Sequence, residues 1–196
     1  MDDCDRTEVR ARRFHDRQWT GELNAAMIAF VERRDLMFIG TSARDGTCDV
    51  SLRAGPRGFV RVLSPTLLGF PDYRGNGVMA SLGNLRENPH IGLFLVDFTD
   101  DVIGLHINGT ATVVDPDDWH SRRPGIVADR VRPRVPQWWV QVCVEEAYIH
   151  CRKNIPHLVT APAVSAGADP GGRPPDGRDF FGVAAGRREV PGSGPG

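Results

Sequence analysis

Arg74, Gly75 and Asn76 stand directly before a segment with helical periodicity. That trio suits a phosphate. A guanidinium gives paired donors, a glycine lets the backbone come close, and a helix start presents unpaired N–H groups to an anion. Arg53 and Arg61 lie on strand-like runs leading into the same loop. The stretch from Asp49 to Pro89, DVSLRAGPRGFVRVLSPTLLGFPDYRGNGVMASLGNLRENP, is thus a candidate cradle for a phosphorylated ligand. Arg53 and Arg74 together are physically adequate for it, since a guanidinium can hold a phosphate through two parallel hydrogen bonds. For each arginine the competing account is a solvated surface side chain. For Ser51 and Asn76 it is hydrogen bonding at a turn or strand end.

Elsewhere the reactive side chains are sparse. Lys153 is the only lysine, so it alone offers an amine for Schiff-base chemistry. His150 and His157 flank Arg152 and Lys153, a cationic group suited to stabilising negative charge, although a solvent-facing strand end explains the same cluster. His106 falls on the polar face of a strand, where a hydrogen-bonded surface histidine is the simpler account. Cys151 adjoins Lys153, whose charge favours a thiolate, but no neighbouring base accompanies it. Of Trp138 and Trp139, at most one faces the core if the segment is a strand, and the other is a candidate for an interface or a ligand edge. No catalytic residue can be named from these patterns, and no metal-ligand set is expected.

The elements that position these residues follow from periodicity. Leu23, Ala26, Met27, Phe30 and Val31 repeat at i, i+3, i+4, i+7 and i+8, which predicts an amphipathic helix over 22–34. Strands are expected over 36–42, 48–53, 59–63 and 67–70, with Asp45-Gly46 turning the first hairpin. A helix over 78–87 should turn Met79, Leu82 and Leu85 inward. Strands follow over 90–96 and 102–114, the second with Ile103, Leu105, Ile107 and Gly109 on one face and Gly104, His106 and Asn108 on the other. Residues 115–136 read as irregular with one helical turn near 117–120, and 138–151 as a strand pair or one long bent strand. The fold class is therefore mainly β with a few helices: a six-to-seven-stranded antiparallel barrel with a helix-plugged gap, which a second copy commonly covers.

Composition bounds the rest. The chain has 196 residues, 40% of them apolar, with a formal net charge of −1. It is long enough for one core, and it has no general field to draw in nucleic acid or an anionic membrane. No apolar run reaches membrane-spanning length, and the N-terminus is acidic-basic rather than signal-like. Cys4, Cys48, Cys143 and Cys151 form no CxxC pair, which fits reduced thiols in a cytoplasm. Three regions are expected: a polar N-terminal segment over 1–20, the barrel domain over 21–158, and a Pro/Gly-rich disordered tail over 159–196.

The order of strands, then FPDYRGN, then a helix ending in ENP and a strand IGLFLV, resembles the pyridoxamine 5'-phosphate oxidase-like FMN-binding split barrels. The segments INGTA (107–111) and EAYIHCRK (146–153) are similar to that family's sixth and closing strands, so the likeness runs from Glu22 to Leu158. RxGPxGFV and PDxxGN are similar to a flavin-nucleotide-binding subgroup more than to the biosynthetic oxidase.

The resemblance implies a split barrel of FMN-binding type, a homodimer with FMN at its interface, and a small-molecule substrate. It places Arg74 and Asn76 at the phosphate-side loop, and Phe70, Pro71 and Asp72 at the strand end beside the ribityl chain. Phe59, Val60 and Arg61 fall on the strand whose backbone runs along the ring, with Ser51 and Arg53 on its neighbour. Two departures count against pyridoxamine phosphate oxidation. Gly104 stands where the oxidase has a ring-contacting glutamine, and the oxidase's ordered C-terminal Arg/His segment is replaced by Pro/Gly-rich sequence holding Arg173, Arg178 and Arg187. The leading expectation is an FMN-dependent oxidoreductase. A deazaflavin-dependent reductase is the alternative, with Arg122, Arg123, Arg130, Arg132 and Arg134 as its basic groove. A flavin-binding module without turnover is the alternative from another class.

Overall fold

The structure, a computed structural model, describes residues 18–74, 79–126 and 135–159. The chain divides into two compact units, Met1–Leu158 and Val159–Gly196, and the first holds every element below. The disordered tail expected from composition lies outside the described residues, as does most of the polar N-terminal segment.

The strands are β1 (Trp19–Thr20), β2 (Leu36–Ser42), β3 (Cys48–Ala54), β4 (Arg61–Ser64), β5 (Leu67–Tyr73), β6 (His90–Asp97), β7 (Ile103–Val114) and β8 (Pro136–His150). The helices are α1 (Ala25–Glu32), α2 (Ala80–Glu87) and α3 (Pro116–Arg122). All pairings are antiparallel, in the order β3-β2-β6-β7-β8-β5-β4, with β1 added to β8. The sheet curls but stays open between its ends, as a split barrel does. Seven strands match the expected set, and the two-residue β1 is an eighth.

Alternation gives the sheet an inner and an outer face. Met37, Ile39, Leu68, Phe70, Leu93, Leu95, Ile107, Val140 and Val142 fill the inside with almost no exposure. Leu82 and Leu85 of α2 join this core, so α2 is the plug in the gap. Met79, expected to face inward with them, is instead 45% exposed. It sits before the first helical turn with φ 48°, so its side chain leaves the helical face.

α1 is shorter than the periodicity suggested because Asn24 caps it, its side chain accepting a 3.0 Å bond from the Met27 amide. Beyond α1, Arg34 and Asp97 form a buried 2.7 Å ion pair. Burial opposes ionisation of Asp97, but hydrogen bonds from Thr99, Asp100, Arg34 and Asp101 outweigh it and hold the carboxyl far below its usual range.

One irregularity decides what the outer face carries. Asn108 pairs with Glu146 and Gly109 with Val144, so Glu145 is an extra residue in β8. A Cβ on Gly109 would fall 2.0 Å from the Cys143 carbonyl oxygen, so only glycine admits this close approach. The bulge shifts the alternation by one. Trp139, Gln141 and Cys143 point outward before it, and Glu146, Tyr148 and His150 point outward after it.

Candidate functional site

Ser51 and Arg53 share the inner side of β3 with Asp49, because Arg53 opposes the buried Met37 and Ser51 the buried Ile39. Their neighbours Val50 and Leu52 point outward, 74% and 55% exposed. Across the barrel gap lies Asp72 on β5, carried there because this strand runs on through Tyr73 rather than ending at Phe70. Pro71 is tolerated within it because β4 has already ended its pairing at Arg61↔Gly69.

Arg53 bridges the split. One terminal nitrogen donates to Ser51 Oγ at 2.9 Å, and the other lies 3.1 Å from Asp72 Oδ1. The Arg53 Nε is buried and has no hydrogen-bond partner among the described residues. Burial raises the Asp72 carboxyl above its usual range, and the Arg53 charge offsets only part of that rise.

α2 is stitched by polar side chains to the turn end of the β2–β3 hairpin. Ser81 donates to Asp49 at 2.7 Å, Asn84 to Thr41 at 3.1 Å and Asn88 to Ser42 at 2.8 Å. Its N-terminus has no side-chain cap, leaving first-turn N–H groups to other acceptors. Arg86 of α2 lies 5.2 Å over the ring of Trp138, whose register partner is Asp72.

The structure thus gathers Ser51, Arg53 and Asp72 into one corner. Arg74 follows β5 closely in the chain and is exposed. Asn76 lies outside the described residues. Phe59 and Val60 precede β4 rather than belonging to it, and with Phe70 they are sunk in the core with almost no exposed surface. Arg61 opposes Gly69 on the outer face, the side opposite to Arg53.

A second constellation occupies the outer face and was not assembled from the sequence. His106 on β7 is stacked between Phe94 of β6, at 4.7 Å and 23°, and Tyr148 of β8, at 4.8 Å and 18°. His150 lies over Gly104, where a Cβ would strike Phe94 at 2.6 Å, and its Nδ1 is 3.0 Å from His106 Nε2. Burial, and then the neighbouring His150, lower the His106 pKa. Next along, Glu146 accepts from Asn108 at 2.5 Å and from Trp19 of β1 at 2.7 Å. Phe38, Gly40, Val50, Gly92, Phe94, His106 and Asn108 line an open groove of about 360 Å³. A neighbouring groove of about 520 Å³ continues it towards His90 and Glu146. The signal for this cluster was the spacing of His106 and Asn108 against Glu146, Tyr148 and His150, masked by the bulge.

α3 covers the outer face at Gly69 of β5 and the first half of β8. Trp119 is fully buried against Gly69 and stacks on Trp139 at 4.3 Å and 6°. Arg123 lies 4.1 Å over Trp119 and donates to Gln141 at 2.6 Å. The basic groove suggested for residues 122–134 therefore loses Arg123, while Arg130, Arg132 and Arg134 lie outside the described residues. His157 bonds the Thr99 carbonyl and does not join His150, and Arg152 and Lys153 sit in an exposed 3-10 turn.

The family described as Pyridoxamine 5'-phosphate oxidase matches residues 23–146. A comparison with curated proteins found no match. Among solved structures, HupZ of Group A Streptococcus is similar at a TM-score of 0.50 and 15% identity, covering 65% of this chain and 93% of its own. An FMN-binding protein from Syntrophomonas wolfei subsp. wolfei is similar at 0.48 and 8% identity, over 74% of this chain and 92% of its own. An F420 reductase is similar at 0.41 and 16% identity, over 65% and 98%. The HupZ likeness supports the barrel fold and nothing further.

Proposed function

Because the chain belongs to the pyridoxamine 5'-phosphate oxidase family, we propose that it is a homodimeric FMN-dependent oxidoreductase acting on a small molecule. The observation that carries this reading is the corner where Arg53, held by Ser51 and by Asp72 two residues before Arg74, keeps a buried Nε with no hydrogen-bond partner among the described residues. A guanidinium with a spare donor fits a phosphate monoester. Arg53 and Arg74 would hold the phosphate, with Ser51 as a further donor and Asn76 at the loop. The backbone of residues 59–61 and of 70–72 would flank the remainder of the cofactor.

Bound FMN supplies a centre that accepts and releases hydride; the protein's part is binding, orientation and charge. The outer groove, with Val50 and Leu52 exposed on its rim strand, is the surface for a second copy. Association there would bury the His106–His150 pair and shield it from water. A deazaflavin is the rival cofactor, but the engagement of Arg123 with Trp119 and Gln141 removes part of the basic surface it would need.

The absorption spectrum of the purified protein, before and after adding FMN, tests the proposal. A flavin band that stays with the protein through gel filtration is expected. A colourless protein that does not retain added FMN would reject it, and retention of a deazaflavin alone would select the rival.

A further inference from the structure

Arg53 lies in the proposed phosphate corner, yet its charge is already answered. Its terminal nitrogens are taken by Asp72 at 3.1 Å and Ser51 at 2.9 Å, and the pair is mostly enclosed, with side-chain exposures of 20% and 9%. An arriving phosphate would therefore meet a guanidinium–carboxylate pair whose net charge is zero. Two anions cannot share one guanidinium in a poorly hydrated corner at low cost, because like charges a few ångströms apart repel strongly there.

The charged groups around Asp72 do not relieve this. On β3 they are Arg53 itself and Asp49, the latter engaged by Ser81 of α2. On α2 Arg86 is spent over the ring of Trp138, and on β8 Asp72 faces Trp138 in register. Arg74, two residues along, is exposed. Burial already disfavours the ionised Asp72 carboxyl, so a second anion beside it would tip it to the neutral acid.

We propose that Asp72 is an internal competitor for Arg53, so that a phosphate-bearing ligand binds with uptake of one solvent proton by the Asp72 carboxylate. The protonated carboxyl then offers an O–H donor to the phosphate in place of a charge. Asp72 thereby makes the affinity for phosphorylated ligands depend on pH, while the same ligand without phosphate is indifferent to it. This rests on the reading of the corner as a phosphate site.

FMN and riboflavin, which differ by the phosphate, are the probes. Their affinities are compared between pH 5 and 8.5 for the wild-type chain and for Asp72→Asn, which keeps the shape and an acceptor for Arg53. The FMN phosphate's own second ionisation, near a pKa of about 6, affects both proteins equally and cancels in the comparison. Asp72→Asn should bind FMN about as well as wild type at pH 5 and tenfold or more tightly at pH 8, with riboflavin unchanged throughout. Calorimetry of the wild-type chain at pH 8, where the FMN phosphate is already fully ionised, in two buffers of different ionisation heat should show net proton uptake on FMN binding, a readout that needs no variant. Wild-type FMN binding without proton uptake, or an Asp72→Asn FMN/riboflavin ratio equal to wild type, would overturn this inference and leave the phosphate site standing. Failure of both proteins to prefer FMN over riboflavin would overturn the phosphate site and the inference with it.

Discussion

The Arg53–Asp72 corner and the His106–His150 ladder lie on opposite faces of the same sheet and are built in opposite ways. The corner joins two strands that are not hydrogen-bonded neighbours, across the open seam, through one ion pair and one hydroxyl. The ladder joins three adjacent strands through stacked rings, each one register step from the next. Removing one charge from the corner strands another in a buried place. Removing one ring from the ladder leaves a half-exposed gap that water can fill. The corner should therefore be sensitive in stability and in anion binding, whereas the ladder should be sensitive in association and in proton equilibrium.

The largest effect should follow Arg53→Ala, which leaves the Asp72 carboxylate buried and unpaired. A loss of about 3 kcal/mol in folding free energy is expected, read as a lower urea midpoint, together with loss of FMN preference over riboflavin. Unchanged stability would break the contrast between the two faces.

Val50→Asp places a charge on the outer rim at a site that is 74% exposed. Monomer stability should change by no more than about 0.5 kcal/mol, while light scattering should show dimer dissociation at least tenfold more favourable. A dimer that survives intact would move the interface elsewhere.

Arg74→Ala sharpens the comparison from the other side, since Arg74 is exposed and is proposed only to hold the phosphate. FMN affinity should fall about tenfold, or about 1.4 kcal/mol, at unchanged urea midpoint.

The smallest effect is in the ladder's titration. His106 has its pKa lowered first by burial and then by His150. The unfolded chain thus binds more protons at this position, so stability rises with pH through the window from the lowered pKa up to about 6.5. Proton NMR should find one imidazole titrating below the usual range, and His150→Ala should move it back upward in part. No shift in that signal would uncouple the two rings.

The difference in construction also explains what could be read from the chain. The strands are set by contiguous alternation and turn residues, so the seven main strands were legible from spacing. Asp72 was placed at a strand end, and its pairing with Arg53 was not foreseen, because an ion pair across a seam has no local signature. Phe59 and Val60 illustrate another limit: a buried hydrophobic pair before a short strand looks like its first two residues. Glu145-Glu146 breaks the strict alternation of β8, and that doublet was the trace of the bulge. Read as regular alternation, it hides Glu146, Tyr148 and His150 from the outer face they occupy. Met79 failed for a reason of backbone, since a left-handed residue before a helix does not follow the helical face.

The most direct test of the central claim is a fluorescence titration of the purified wild-type chain with FMN against riboflavin at neutral pH. A bound phosphate in the Arg53–Arg74 corner predicts saturation at one FMN per protomer and at least tenfold weaker riboflavin. Absence of saturable FMN binding, or equal affinity for the two, would contradict it.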